Sequence, residues 1–293
     1  MNRCFLSLAF GSLLIASAVS AQNVDPVPVI ITAGQSNTDG RVFNDSLPDY
    51  IKCDGYKFCQ WSYCNGTRDT IEGHFEPFFP RMSSPNKPGR WTYDAVVYYR
   101  LEQLWQKPFF VIKQSQGGTS IDPECKSTAD FHWSANPDWL DANSSANHGG
   151  LSLLKAFTDN ISLCIDSQLS KLPQGFDIKF MLWHQGESDA GRPDRYYDNL
   201  SAVVAYVRAF LVAKTGDAKY EHLPFICGSV PRASRRFKPQ IDEAFRRLAA
   251  EDDNFYVVDL SEASLQSDML HFTAKSAEDF GNEILKIVQK NLM

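Results

Sequence analysis

The tetrapeptide Gly34-Gln35-Ser36-Asn37 follows the β-branched run Val27-Pro28-Val29-Ile30-Ile31-Thr32, so its serine falls at the turn that closes a buried strand. A hydroxyl at such a turn sits at a helix start, where backbone N–H groups and the helix dipole favour a developing anion. Ser36 is therefore a candidate nucleophile, although a serine in this place also suits a plain N-cap. Far along the chain, Asp268-Met269-Leu270-His271 sets a carboxylate three residues before an imidazole. That spacing lets Asp268 hold one ring nitrogen while the other faces the serine as a general base. Two further clusters, Gln116-Gly117-Gly118-Thr119-Ser120 and Trp183-His184-Gln185-Gly186-Glu187-Ser188-Asp189, offer donors for an oxyanion. Glycine lets the backbone approach closely and an amide side chain adds an N–H, which makes Ser36, Gly117, Gly118 and Gln185 the candidate oxyanion hole.

These clusters share one placement, each immediately or shortly after a predicted strand. Apolar runs at Val27 to Thr32, Phe109 to Lys113, Asp177 to Trp183, Pro224 to Ser229 and Asn254 to Asp259 read as strands. Helical spacing of apolar residues appears at Ala95 to Gln106, Leu151 to Leu172, Arg195 to Lys214, Gln240 to Ala250 and Ala274 to Leu292. Strand and helix alternate, and parallel strands need helical crossovers of right-handed sense. The order predicts a three-layer α/β/α fold with about five parallel strands. In such a sheet ligands bind beyond the carboxyl ends of the strands, where the candidate residues lie. Two long connections, from Gln35 to about Asp94 and from Gln114 to about Gly150, are functional candidates by their length.

Taken together and in this order, Gly34-Gln35-Ser36-Asn37, Gly117-Gly118-Thr119-Ser120, Trp183-His184-Gln185-Gly186-Glu187 and Asp268-x-x-His271 resemble the SGNH/GDSL hydrolase superfamily. The resemblance is to the branch of sialate O-acetylesterases and family 6 acetylxylan esterases, and it spans nearly all of the chain after residue 21. It implies a flavodoxin-like fold and a metal-free serine esterase, with no cofactor, that removes acetyl groups from sugar hydroxyls. By position it makes Ser36 the nucleophile, His271 the base and Asp268 its acid, with the oxyanion held at Ser36, Gly117 or Gly118, and Gln185. Two departures from the wider superfamily, both habits of this branch, are Gln35 where most members carry Asp before the serine and Gln185 where most carry Asn. Glu187 is the alternative acid, because the glutamate of the Gln-Gly-Glu block has been considered for that role in related carbohydrate esterases.

Composition narrows the alternatives. The 293 residues are 43% hydrophobic and 22% charged, which describes a globular chain and excludes disorder and coiled coil. With 29 basic and 35 acidic side chains the net charge is −6, so no basic excess exists for a nucleic-acid partner. Arg3, the apolar stretch through Leu13-Leu14-Ile15 and the small residues Val19-Ser20-Ala21 have the pattern of a cleaved signal peptide over 1–21. The apolar stretch falls short of the roughly 20 residues that span a bilayer. The expectation is a secreted or periplasmic protein whose residues 22–293 form one SGNH-type esterase domain. In that compartment Cys53, Cys59, Cys64 and Cys125 are disulfide candidates, whereas Cys164 and Cys227 read as inert core thiols.

Two rival functions fit some of the same residues. A non-catalytic carbohydrate-binding protein would stack sugars on Trp61, Trp91, Trp133 and Trp139. A metal-dependent hydrolase would use His184, Glu187, Asp189 and His271 as ligands, although the His184-x-x-Glu187 pair falls on a predicted loop rather than a helix. Among substrates, a sialic acid would call for cations near the site, with Arg41, Arg90, Arg192 and the stretch Arg232 to Arg236 as candidates. Neutral xylan would call for aromatic platforms. The sequence is silent on oligomeric state.

Overall fold

A computed structural model describes residues 25–65, 71–80, 89–125 and 130–293. The leader expected over 1–21 lies outside the described residues. The chain order is β1 (Val27–Gly34), α1 (Ser36–Asp39), β2 (Val42–Phe43), α2 (Asp49–Asp54), β3 (Cys59–Cys64), β4 (Glu76–Pro77), β5 (Arg90–Trp91), α3 (Tyr93–Trp105) and β6 (Phe109–Ser115). It continues with α4 (Pro137–Ala142), α5 (Leu153–Ser167), β7 (Phe176–His184), α6 (Tyr196–Thr215), β8 (Phe225–Gly228), α7 (Pro239–Glu251), β9 (Phe255–Val258) and α8 (Ala274–Asn291).

All residues of β1 are buried, and their side chains alternate as a strand's period of two requires. Val29, Ile31 and Ala33 enter one core with residues of α5, α6 and α7, while Ile30 enters a second core with residues of α3 and α8. The adjacent strand β7 repeats the pattern, with Met181 and Trp183 on the first side and Phe180 and Leu182 on the second. The result is the expected three-layer sandwich. Its seven-stranded sheet runs β4-β3-β6-β1-β7-β8-β9, and β2 and β5 pair as a separate two-stranded ribbon. Every neighbour pair in the large sheet is parallel except β3 with β4.

The five strands predicted from sequence are β6, β1, β7, β8 and β9, and the fold adds a sixth parallel strand, β3, with the short β4 outside it. Cys59-Gln60-Trp61-Ser62-Tyr63-Cys64 carries no β-branched residue, which is why a long connection was expected there. Its pairing along β6 from Cys59 against Phe109 to Cys64 against Gln114 supplies the strand. The same placement removes one of the possible pairings among the four candidate cysteines. Cys59 and Cys64 are five residues apart on one strand, roughly 16 Å at the usual rise per residue, beyond the reach of a disulfide. None of the expected pairs among Cys53, Cys59, Cys64 and Cys125 forms, and all six described cysteines carry free thiols. Burial holds the Cys59 and Cys227 thiols well above their ordinary pKa, as suits inert core residues.

The strand order places β1 between β6 and β7: from β1 the chain goes out to β3, returns to β6, and then crosses past β1 to continue through β7, β8 and β9 on the other side. Gly34 at the end of β1 is level with Ser115 on one side and His184 on the other. Three strand ends therefore stop together at the switch point where such sheets bind ligands. No helix among the described residues is long and apolar enough to cross a membrane.

Candidate active site

Ser36 begins α1, a single turn that starts within two residues of the end of β1. Gly34 permits that abrupt turn: it has φ +152°, and a Cβ there would lie 2.3 Å from the His184 carbonyl oxygen and 2.4 Å from Thr38 Oγ1. The Ser36 hydroxyl lies 3.0 Å from His271 Nε2. On the other side of the ring, Nδ1 is 2.5 Å from Asp268 Oδ2. A carboxylate only accepts, so Nδ1 carries the proton and Nε2 is left to accept from the serine.

Asp268 also shapes the turn that presents the histidine. Its Oδ1 accepts the backbone N–H groups of Leu270 and His271, each at 3.0 Å, in the manner of an Asx turn, and Met269, which precedes them, takes φ 53°. Desolvation alone would push the Asp268 carboxyl up, but these N–H groups and the imidazole outweigh it and hold its pKa below the usual range.

Glu187 occupies a different place. It is buried, and its Oε1 accepts from Asn37 Nδ2 at 2.9 Å and lies 3.3 Å from His184 Nε2. His184 Nδ1 is 3.1 Å from the Gly228 carbonyl oxygen and donates to it. Burial drives the Glu187 carboxyl upward, and His184 with the Asn37 amide outweighs that and leaves it lowered. Asn37 in turn straddles the histidine turn: its Nδ2 donates to the Leu270 carbonyl at 3.2 Å and its Oδ1 accepts the Phe272 N–H at 3.2 Å. Asp268, not Glu187, is thus the carboxylate on His271, while Glu187 braces the loop through Asn37.

Gly117 and Gly118 follow β6 and face the serine. A Cβ on Gly117 would be 3.4 Å from Ser36 Cβ, and Gly118 takes φ 75°. The N–H groups of Ser36, Gly117 and Gly118 have no acceptor within the described protein. Gln185 does not join them. Its Nε2 donates to Asp189 Oδ2 at 2.5 Å and to the Thr119 carbonyl at 3.1 Å, and its Oε1 accepts from the Tyr196 hydroxyl at 3.1 Å. With its amide committed and no surface exposed, Gln185 is not available as the expected oxyanion donor, a correction to the sequence expectation. Asp189 instead receives the N–H groups of Ile121 and Asp122 at 2.9 Å, tying the loop after β7 to the loop after β6.

The serine and histidine open into a pocket of about 270 Å³ lined also by Gly117, Gly118, Glu187, Arg41, Arg235 and Arg236. Arg41 donates through Nη1 to the buried Asp39 at 2.7 Å. Of the other arginines expected near a site, Arg90 covers the Phe43 ring at 4.3 Å and Arg192 pairs with Asp122 and Glu124. Trp61, Trp91 and Trp133 are buried in the core and cannot serve as sugar platforms, and Trp139 packs edge-on against His132. The metal-ligand reading of His184, Glu187, Asp189 and His271 finds no converging cluster among the described residues: Asp189 is occupied by backbone N–H groups and His271 is turned to Asp268.

A parallel α/β/α sandwich with a serine, an imidazole and a carboxylate in hydrogen-bonded series at its switch point defines a class, that of SGNH-type hydrolases. Residues 145–290 match the family described as "Carbohydrate esterase, sialic acid-specific acetylesterase", a span that takes in Glu187, Asp268 and His271. The chain belongs to these carbohydrate acetylesterases and is a carboxylic ester hydrolase.

Solved structures agree in fold. A protein from Arabidopsis thaliana superposes with a TM-score of 0.62 at 20% identity, covering 92% of this chain and 100% of that one. The protein NanS gives 0.60 at 13% identity over 92% of this chain and 100% of its own. XAC1771, a carbohydrate acetylesterase from Xanthomonas citri, gives 0.59 at 14% identity, covering 90% of this chain and 56% of that one. No curated sequence matches the chain.

Proposed function

We propose that the protein removes O-acetyl groups from a sugar through an acyl-enzyme on Ser36. The observation that carries this reading is the unbroken series from Ser36 Oγ to His271 Nε2 at 3.0 Å and from His271 Nδ1 to Asp268 at 2.5 Å. His271 takes the serine proton as Oγ attacks the acetyl carbonyl, and the N–H groups of Ser36, Gly117 and Gly118 receive the oxyanion. Collapse breaks the bond to the sugar oxygen, which leaves with the proton from His271. Water then attacks the acetyl-serine, giving its proton to His271, and Ser36 regains a proton as acetate departs. Residues 22–293 act as one catalytic unit, and the leader expected at 1–21 exports it.

The sugar we assign is one that bears a carboxylate, as a sialic acid does. Arg41, Arg235 and Arg236 around the pocket support that choice over a neutral xylan, because no tryptophan, tyrosine or phenylalanine among the described residues lines the pocket and Trp61, Trp91 and Trp133 are buried in the core. Release of acetate from acetylated sialosides, acetylated xylan and simple acetyl sugars tests both parts. Ser36→Ala is expected to lose turnover on all of them while keeping its melting temperature, and full activity in that variant would refute the nucleophile. Arg235→Gln with Arg236→Gln is expected to raise KM roughly tenfold for the acetylated sialoside, the scale of hydrogen bonds to a charged group. KM for a neutral acetyl ester should not move; an equal change for both substrates would remove the carboxylate from the assignment.

A further inference from the structure

The oxyanion site lost its expected side-chain donor when Gln185 proved committed elsewhere, and a different amide stands beside it. Gln35 immediately precedes the nucleophile, lines the same pocket and is only 2% exposed. Its Oε1 accepts the Ser188 N–H at 3.3 Å and Gln185 Nε2 at 3.3 Å. Neither partner can accept: Ser188 presents its backbone N–H, and Gln185 presents an amide nitrogen whose two protons are shared among Asp189, the Thr119 carbonyl and Gln35 Oε1. Turning the Gln35 amide over would set N–H groups against N–H groups, so the orientation of oxygen and nitrogen is determined by the network.

The Gln35 Nε2 group has no acceptor among the described residues, and Gln35 lines the pocket together with Ser36, Gly117 and Gly118. We propose that Gln35 Nε2 is the side-chain donor of the oxyanion hole, acting beside the N–H groups of Ser36, Gly117 and Gly118. The inference rests on the acyl-enzyme reading given above. A donor whose acceptor partner is supplied only by the substrate, and whose other end is already clamped, is preorganised: it needs no rearrangement when negative charge develops. Gln185 then has a supporting role, holding Gln35 through Oε1 and itself held by Asp189.

The test compares Gln35→Met, which keeps the length and removes the donor, with Gln35→Glu, which keeps an acceptor for Ser188 and Gln185 and turns the donor into a second acceptor. Each is assayed for kcat, KM and melting temperature on an acetyl ester. The expected result is a fall in kcat of about 10²–10³, the usual loss for one such donor, with KM changed only a few-fold. The Ki of a trifluoromethyl ketone, which forms a tetrahedral adduct on the serine, should rise in step with the loss in kcat/KM. A kcat within threefold of wild type in both folded variants would overturn the proposal. Should neither variant fold, the wild-type protein decides: adduct formation should move the Gln35 Nε2 proton resonances downfield, and their staying in place overturns it. Ser36→Ala run alongside separates the two ideas. Activity surviving in Ser36→Ala refutes the acyl-enzyme itself, whereas an inactive Ser36→Ala beside a fully active Gln35→Met refutes only the donor.

Discussion

Two acidic side chains compete for the partnership with His271, and their surroundings give them separate work. Asp268 touches the ring and fixes its tautomer, so Asp268→Asn replaces an acceptor by an amide that can present N–H to Nδ1 and favour the wrong tautomer. A loss in kcat of about 10²–10⁴ is expected, with little change in melting temperature for a residue at the molecular surface. Glu187→Gln instead removes a buried carboxylate from between Asn37 and His184, 3.3 Å from the latter. Its cost should appear chiefly as lower thermal stability, since an uncompensated partner is left in the core, and only secondarily as lower kcat through the Asn37 brace. Side-by-side melting curves and steady-state kinetics check this, and a larger kcat loss in Glu187→Gln than in Asp268→Asn would reverse the roles. The sequence made Ser36, Asp268 and His271 legible because each sits at a strand end or in a three-residue spacing with chemical meaning. It misdirected the amide donor because two glutamines, Gln35 and Gln185, fall at neighbouring strand ends, and which of them faces the pocket depends on the tertiary partners Asp189, Thr119 and Ser188.

The elements that hold His271 in place are helical. Phe272 and Thr273 follow it directly, and Thr273 caps α8 by accepting the Ser276 N–H at 3.3 Å. Ala277, Phe280, Ile284 and Val288 then recur at helical spacing and bury against the core shared with α3. Gly281 lies at the closest approach of the two helices: a Cβ there would come within 2.7 Å of the Tyr93 carbonyl oxygen and 2.7 Å of Val96 Cβ. Gly281→Ala therefore gains helix propensity but must push α8 off α3, with a net loss of about 1–3 kcal/mol. Denaturant unfolding gives the magnitude, and a variant as stable as wild type or more so would show that the helices separate freely. This helix was plain in the sequence because its apolar stripe is regular. The strand β3 was not, because its cysteines and aromatics satisfy burial through packing, with Trp61 and Tyr63 stacked at 4.8 Å, rather than through β-branched pattern. Local periodicity reports an element that is amphipathic by itself and misses one whose register is supplied by a neighbour.

At the scale of the whole molecule, the ends of β6 and β7 are joined by one buried carboxyl, and that makes stability depend on pH in an unusual direction. Asp189 is fully buried, and desolvation pushes its pKa up to about 6 against the N–H groups of Asp122 and Ile121 and the Gln185 amide, which favour the ionised form. Below the pKa of an unfolded aspartate, about 4, both states hold the proton. Between there and about 6 the native state keeps the proton that the unfolded state has lost, so raising the pH favours unfolding. Above about 6 both states are ionised and the loss is complete, on the order of 3 kcal/mol for a shift of roughly two units. Asp268 and Glu187 run the other way: with pKa values lowered by folding, they contribute stability at neutral pH that is lost on acidification. A wild-type stability curve therefore mixes opposite slopes, and the difference between wild type and Asp189→Asn isolates one of them. Measured by urea unfolding from pH 4 to pH 7, the stability of wild type relative to Asp189→Asn should fall by about 3 kcal/mol, with most of the change between pH 4 and 6. A difference that stays constant across that range would mean that Asp189 is ionised in the native state throughout, and that the loops after β6 and β7 are held together by a charge rather than by a proton shared within the fold.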